Sequence, residues 1–314
     1  AANDPDRTPH RLAEILMSID PIVTRPRGNR RAGLPTGKPD TVQTRTAARL
    51  LLGWAEQKPS RAEADAWRVI ALLNLTRYPQ PLPEGDLLEV EQRKADHRAA
   101  IAAARDAGEP NLLAIALIHS ATSARDSYDN SFALAVATEA QQVVAGMHPG
   151  DERPCGVLGA ALGGAGWLPS SRETRGLLRT RSHARAAIAA RMLRDYDRAV
   201  LERDLQIDAA SALVDSHPTL LLSALGQRGG LARALGDITT ALSIAEMQAQ
   251  YCADHDSRSI RRKYLVSRHS FAKYLDDWDT ALDVRLERAR LWVIEAFDVP
   301  DDAELTPAMA MTAV

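Results

Sequence analysis

Leu235-Gly236-Asp237-Ile238-Thr239-Thr240-Ala241-Leu242 decides the fold, because variants of this stretch also stand at residues 193–200 and 275–282. Leu193, Leu235 and Leu275 open the three copies, at intervals of 42 and 40 residues. Each copy follows an Ala-rich stretch with helical periodicity and leads into another one, so it marks a tight turn between two helices. A helix pair of this kind buries its apolar face only against neighbouring pairs. The sequence therefore predicts an all-α solenoid of stacked antiparallel helix pairs.

The positions of the helices follow from the same periodicity and from capping residues. Long helices are predicted over 86–106, 111–124 and 131–145. The clearest pairs are predicted over 171–194 with 196–214, 218–235 with 237–253, and 257–275 with 278–297. Bulk packing inside such helices is the expected role of the five tryptophans, which are Trp54, Trp67, Trp167, Trp278 and Trp292.

The repeated stretch resembles the tetratricopeptide repeat, in which the first helix ends in a Leu-Gly-Asp/Asn-aromatic turn and the second opens with Ala-Leu. Gly236-Asp237 with Ala241-Leu242 carries the resemblance, as does Asp277-Trp278 with Ala281-Leu282. Gly229 stands where that family has its close-packing glycine. The resemblance covers residues 170–297, and the second-helix pattern extends more faintly to Asp129–Ala140. The repeat register before residue 125 stays open.

The chain departs from the family in three respects. Its clear copies are longer than the usual period of 34 residues. His183, Leu225 and Leu265 stand where the family has the tryptophan of its first helix. No proline closes the units. The resemblance thus implies a degenerate, tetratricopeptide-like α-solenoid.

Charge is divided between the two helices of each clear pair, since the first helices are rich in Arg and Lys and the second helices in Asp and Glu. In the family that the chain resembles, first helices line a concave groove and second helices form the convex back. The resemblance therefore implies a basic groove and an acidic back, with Glu202 among the acids of the back.

Arg191, Arg233 and Lys273 each stand two residues before the leucine of their copy. Stacking in register would bring them into one column, where guanidinium groups can grip a carboxylate or a phosphate. With Arg268 and His269, they are the candidate ligand-binding residues. The alternative is a solvated face, because arginine is abundant in this chain and the step is often solvent-facing.

Composition and motifs limit the functional classes. A net charge of −2 argues against general affinity for nucleic acid or acidic membranes. Cys155 and Cys252 lack metal-ligand spacing, and no apolar stretch has the length of a membrane span. No nucleotide-binding or catalytic motif is found, so we expect no metal, no cofactor and no catalytic residue. A cytoplasmic location is expected.

Two acidic motifs are explained by turns and helix capping rather than by metal binding. Asp276-Asp277-Trp278-Asp279 superficially resembles the magnesium-binding cluster of terpene synthases, but the second motif of those enzymes is missing and the repeat already accounts for Asp277 as a turn residue. Asp254-His255-Asp256 could bind a metal ion, although its place between two helices favours capping.

Three segments are predicted along the chain. Residues 1–39 form an N-terminal helix and a flexible basic arm at 21–39, residues 40–297 form the repeat domain, and residues 298–314 form a tail. A glycine-rich stretch at 149–170 interrupts the repeats and predicts a joint.

The expected function is that of a non-enzymatic binding module, which recognises a peptide, a partner protein or a small anionic effector in its basic groove. An acidic partner suits that groove. Two other classes stay open. One is the ligand-sensing half of a transcriptional or signalling regulator, and the other is an enzyme whose site lies inside an α-superhelix.

Overall fold

The computed structural model describes residues 41–57, 67–72, 75, 87–126, 129–148, 171–255 and 257–297. The predictions for the basic arm, the glycine-rich joint, the C-terminal tail and Trp167 lie outside these residues. Within them, all regular secondary structure is α-helical, which confirms the predicted all-α class.

Residues 67–72 are helical, and ten longer helices are described: α1 (Thr41–Gln57), α2 (Leu87–Asp106), α3 (Pro110–Asp126), α4 (Asn130–Ala145), α5 (Ser171–Met192), α6 (Tyr196–Ser211), α7 (Pro218–Ala234), α8 (Ile238–Asp254), α9 (Arg258–Tyr274) and α10 (Trp278–Phe297). Helices α2 to α10 match the predicted helices to within a few residues; α6 ends at Ser211 instead of 214.

The chain divides into two compact units, Ala1–Ala209 and Ala210–Val314. In the first unit α3 packs against α2, α4 and α5, and α4 packs against α5. In the second unit α7 packs against α8, both pack against α9, and α9 packs against α10. Within each unit, helices adjacent in sequence thus pack against each other and against the next helix, as in a helical-repeat fold.

The three copies of the repeated stretch form the same turn. The residue after each leucine has a positive φ, which is 64° at Arg194, 75° at Gly236 and 57° at Asp276. The aspartate amide then donates to a carbonyl five residues back, from Asp195 to Ala190 (2.9 Å), from Asp237 to Ala232 (2.9 Å) and from Asp277 to Ala272 (3.0 Å). This geometry closes the first helix in a Schellman-type turn.

The aspartate side chain begins the second helix of each pair. Its carboxylate accepts a hydrogen bond from the backbone N–H three residues on, at Arg198 (3.1 Å), Thr240 (3.0 Å) and Thr280 (3.1 Å). One residue therefore satisfies a carbonyl of the helix that ends and an N–H of the helix that starts.

A fourth turn of this kind lies at Asp129, where the sequence resembles the repeat only faintly. The Asp129 amide donates to the Ala124 carbonyl at 2.9 Å, and its carboxylate accepts from the Phe132 N–H at 3.2 Å. Ala133 follows four residues later and is buried, like Ala199, Ala241 and Ala281 in the other copies. The α3–α4 pair therefore shares these two hydrogen bonds and the buried alanine with the three clear pairs.

Small and apolar side chains fill the space between helices. His183, Leu225 and Leu265, which stand where the resembled family has tryptophan, are all buried. In the first unit Trp67 is fully buried and meets Trp54 edge-on, with ring centroids 6.2 Å apart.

The expectation of bulk packing is wrong for two of the tryptophans. Trp278 is 60% exposed and Trp292 is 50% exposed. Val284 and Leu291 instead form the buried side of α10, where they cluster with Leu265 of α9. Because one side of α10 already packs there, the two tryptophans are left on other sides of the helix.

Candidate functional site

The five candidate residues lie in different units. Arg191 belongs to the first unit, and Arg233, Arg268, His269 and Lys273 belong to the second. The alignment of Arg191 with Arg233 and Lys273 therefore stays a prediction. Within the second unit, Arg233 and Arg268 line the same cavity, whereas His269 and Lys273 do not line it.

This cavity, which we call the arginine cavity, lies where α7, α8 and α9 meet and has a volume of about 40 Å³. Such a volume suits water molecules or a single small polar group. The lining residues are Gly229 and Arg233 of α7, Ala241, Ile244, Ala245 and Gln248 of α8, and Tyr264, Ser267, Arg268 and Phe271 of α9.

Gln248 fixes one wall of the arginine cavity. Its side chain is buried, and its Nε2 donates to the Leu222 carbonyl of α7 at 3.1 Å. Its Oε1 accepts from the Ser267 hydroxyl of α9 at 2.8 Å. One amide side chain thus joins all three helices, which keeps this wall of the cavity rigid.

Arg233 is half-buried beside this wall. Its guanidinium carbon lies 5.6 Å from the centre of the Phe271 ring, within the range of a cation–π contact. Burial lowers the pKa of Arg233, and the nearby Tyr274 partly opposes this effect. The group still carries its charge at neutral pH, because the ordinary pKa of arginine lies far above neutral.

Arg268 is exposed and brings a second guanidinium group to the arginine cavity. Among the described residues, no carboxylate forms an ion pair with Arg233 or Arg268. Asp277 is engaged elsewhere, since hydrogen bonds to Thr280 are the main cause of its lowered pKa and Arg268 is a minor one. The cavity therefore has two cations whose hydrogen-bonding capacity suits an anionic group.

Lys273 and His269 have other contacts. The Lys273 ammonium lies 5.9 Å from the centre of the Trp278 ring. His269 Nδ1 donates to the Ala281 carbonyl at 3.0 Å, which ties α9 to the first turn of α10. His269 thus holds the last helix pair together.

Arg191 is exposed on α5 in an arginine-rich part of the first unit. The pKa of Arg203 on α6 is lowered to about 10, first by burial and then by the charges of Arg185 and Arg191. Arg191 is therefore close enough to Arg203 to affect it, and the two belong to one basic region.

A buried polar network in the first unit was not predicted. Glu202 of α6 is only 2% exposed, and its carboxylate lies 2.7 Å from His183 Nδ1 of α5. Gln141 Nε2 of α4 and Arg198 Nε each donate to it at 2.6 Å. The placement of Glu202 on an acidic back is therefore wrong, because three helices enclose it. Two features of the sequence indicate a buried position for Glu202. His183 stands at the tryptophan position of the repeat, and Arg198 stands one helical turn before Glu202.

A scan against protein-family models found no matching family, and a search among curated proteins found no similar sequence. In the described part of the chain, none of the helices combines the length and the hydrophobicity that a bilayer-spanning segment requires. In the same part, His, Cys, Asp and Glu side chains do not gather into a group of three that could hold a metal ion.

Proposed function

We propose that this chain is a non-enzymatic, tetratricopeptide-like binding module, and that it takes an acidic group of a peptide, a partner protein or a small effector at the arginine cavity. The observation that carries the proposal is that Arg233 and Arg268 line one cavity and that, among the described residues, neither forms an ion pair with a carboxylate. Both residues stand on first helices of their pairs, α7 and α9, as expected for a ligand-binding face of such repeats.

The chemistry of the arginine cavity supports a carboxylate or phosphate as the recognised group. Arg233 is partly desolvated and its guanidinium plane is placed by Phe271, so less conformational entropy is lost when it binds an anion. Ser267 and Tyr264 add hydroxyl groups to the lining. A volume of about 40 Å³ admits only the charged head of a ligand, so the rest of the ligand would lie on the surface outside.

The proposal is tested by binding of a fluorescein-labelled, Asp/Glu-rich peptide, measured by fluorescence anisotropy. A double variant, Arg233→Ala with Arg268→Ala, should lose at least tenfold in affinity, because each charge-assisted hydrogen bond contributes about 1.5–3 kcal/mol. Binding should also weaken with added salt, since Arg268 is exposed and is screened.

Lys263→Ala is the matched control, because Lys263 is an exposed cation of α9 that does not line the arginine cavity. Its affinity for the peptide should stay within about twofold of the wild-type value. Equal losses in the control and in Arg268→Ala would mean that the peptide senses only general positive charge, and the proposed site would then be rejected.

A further inference from the structure

The α9–α10 pair exposes a face whose counterpart in the α7–α8 pair is covered by α9. In the α7–α8 pair, Arg233 lies against Phe271 of α9 and Gln248 bonds to Ser267 of α9. A Cβ placed on Gly226 would lie only 3.2 Å from the Ser267 hydroxyl. These contacts define the surface on which α7 and α8 hold the next helix of the chain.

The repeat interval identifies the residues of the α9–α10 pair that correspond to this surface. Leu235 and Leu275 are 40 residues apart, so each residue of the covered surface has a counterpart 40 positions later. Burial raises the pKa of the Cys252 thiol and the charge of Arg261 on α9 partly opposes this, so Cys252 lies next to α9 as well. Gly226, Arg233, Ala245, Gln248 and Cys252 thereby correspond to Val266, Lys273, Arg285, Arg288 and Trp292. We call these five counterparts the end face.

The end face is available for contact. Val266 is 43% exposed and Trp292 is 50% exposed. Lys273 and Arg285 are exposed as well, and Arg288 is half-buried. In the described part of the chain, none of the three cations forms an ion pair with a carboxylate.

The end face also differs in charge from the surface that holds α9. Of the five corresponding positions in α7 and α8, only Arg233 is a cation, whereas the end face has Lys273, Arg285 and Arg288. A helix as basic as α9 would be repelled from it. Apolar side chains frame these cations, with Val266 on α9 and Trp292 on α10.

We propose that the end face binds an acidic amphipathic helix of a partner protein, which takes the place on α9 and α10 that α9 takes on α7 and α8. The partner is helical because the corresponding positions of the preceding helix pair, α7–α8, hold the helix α9. It is acidic because three cations face it, and it is amphipathic because Val266 and Trp292 provide apolar contacts.

Two other occupants fit this surface less well. A second copy related by a two-fold axis would bring the same cations against each other, and juxtaposed like charges oppose association. The sequence at 298–314 is acidic but contains Pro300 and Pro307, a residue type that is unfavourable inside a helix.

The inference concerns a different surface from the arginine cavity, since none of the end-face residues lines that cavity. Loss of Arg233 and Arg268 should therefore leave the end face functional. Conversely, charge reversal on the end face should leave the arginine cavity intact.

The probe is a labelled 17-residue peptide with the sequence of α9 in which every Arg and Lys is replaced by Glu. It keeps Tyr264, Ser267 and Phe271, through which α9 meets α7 and α8, and it reverses the charge. The peptide with the native α9 sequence is the control probe. In anisotropy titrations of the full chain, the acidic peptide should bind at least tenfold more tightly than the basic one.

Charge reversal of Arg285→Glu with Arg288→Glu should lower the affinity for the acidic peptide at least tenfold, with the helical circular dichroism signal unchanged. Arg290→Glu is the matched control on the same helix. Arg290 lines a separate cleft with Arg261 and Glu287, so its reversal should change affinity less than threefold. Because the proposed function gives the arginine cavity an affinity for acidic peptides as well, these titrations are made in the Arg233→Ala, Arg268→Ala background, where the acidic peptide should still bind through the end face.

Three results would overturn the proposal. Equal binding of the acidic and basic peptides would show that charge does not select the partner. A tenfold gain in affinity when Asp298, Asp301, Asp302 and Glu304 are made neutral in the full chain would assign the end face to that segment. A sedimenting dimer that dissociates on Arg285→Glu with Arg288→Glu would assign the end face to a second copy.

Discussion

At the scale of the single residue, the three turns differ in the residue that takes the left-handed backbone conformation. Gly236 occupies the left-handed position of its turn without steric conflict, but Arg194 and Asp276 occupy the same position with a side chain. A left-handed backbone costs a residue with a Cβ about 1–2 kcal/mol, and Asp tolerates it better than Arg. The hydrogen bonds of the turn must offset this cost at Arg194.

Arg194→Gly should therefore raise the free energy of unfolding by about 1 kcal/mol, measured by urea denaturation. The complementary change, Gly236→Ala, should lower it by a similar amount, since no atom lies within 4 Å of the added methyl and only the backbone conformation is at stake. Destabilisation by Arg194→Gly would show that the arginine side chain itself supports the turn.

Glu202 carries a buried charge in the first unit. Burial by itself would raise the pKa of this carboxyl, but the hydrogen bonds and charges of His183 and Arg198 outweigh burial and lower the pKa. Its contribution to stability is therefore complete above the pKa of an unfolded Glu, about 4.3, and is lost as the pH falls through the lower pKa of the folded state.

Glu202→Gln should lower the free energy of unfolding at pH 7 by about 3 kcal/mol, because it leaves Arg198 partly buried without its carboxylate. The loss of stability of the wild type below about pH 4 should be shallower in this variant. Glu139→Gln is the control, since Glu139 pairs with the more exposed Arg105 at 2.6 Å. A surface pair of this kind contributes less than about 1 kcal/mol. Equal effects of the two substitutions would contradict the role given to the buried network.

At the scale of the helix, α7 and α8 approach closely through Gly229. A Cβ placed on Gly229 would lie 3.3 Å from Ile244 Cγ2, tighter than an ordinary contact, whereas the nearest atom to a Cβ on Gly230 is Arg233 Nη2 at 3.7 Å. The two adjacent glycines therefore have different packing around them.

Gly229→Ala should destabilise the protein by about 1 kcal/mol, because the clash with Ile244 exceeds the gain in helix propensity. Gly230→Ala should stabilise it by up to about 1 kcal/mol through that propensity alone. The comparison is made by thermal and urea denaturation of the two variants. Equal stabilisation by both would mean that α8 moves away at no cost.

The helix pairs could be predicted from sequence because their turns are local. Asp237 and its capped N–H are three residues apart, so the hydrogen bond that starts α8 depends on neighbouring residues alone. Whether Arg233 and Arg268 line the same cavity depends instead on the distance and rotation between α7 and α9, and the periodicity of the sequence does not specify these. The same limit applies to Glu202, which the sequence predicts on an acidic back, because its partner Gln141 is 61 residues away.

At the scale of the whole molecule, the two compact units should differ in how they unfold. Repeats of this kind are stabilised mainly by their nearest neighbours, so damage in one region spreads only partly to another. Trp67 reports on the first unit because it is fully buried, whereas Trp278 and Trp292 report on the second and are half-exposed or more.

Gly229→Ala should therefore shift the urea concentration at which the second unit is half unfolded. The unfolding midpoint of the first unit, followed by the blue-shifted emission of the buried Trp67, should stay unchanged. Hydrogen exchange in α7–α10 should rise while exchange in α3–α5 stays unchanged. A single transition, with all probes displaced by the same amount, would show instead that the two units unfold as one cooperative body.

The recurrence of one turn at Asp129, Asp195, Asp237 and Asp277 also makes this chain a source of interchangeable parts. Because each turn forms its own hydrogen bonds between residues at most five positions apart, residues 193–197 and 235–239 could be exchanged without changing the sequence of the helices on either side. A library built by exchanging whole helix pairs at these turns would then vary the surfaces of the helices while leaving the turns constant.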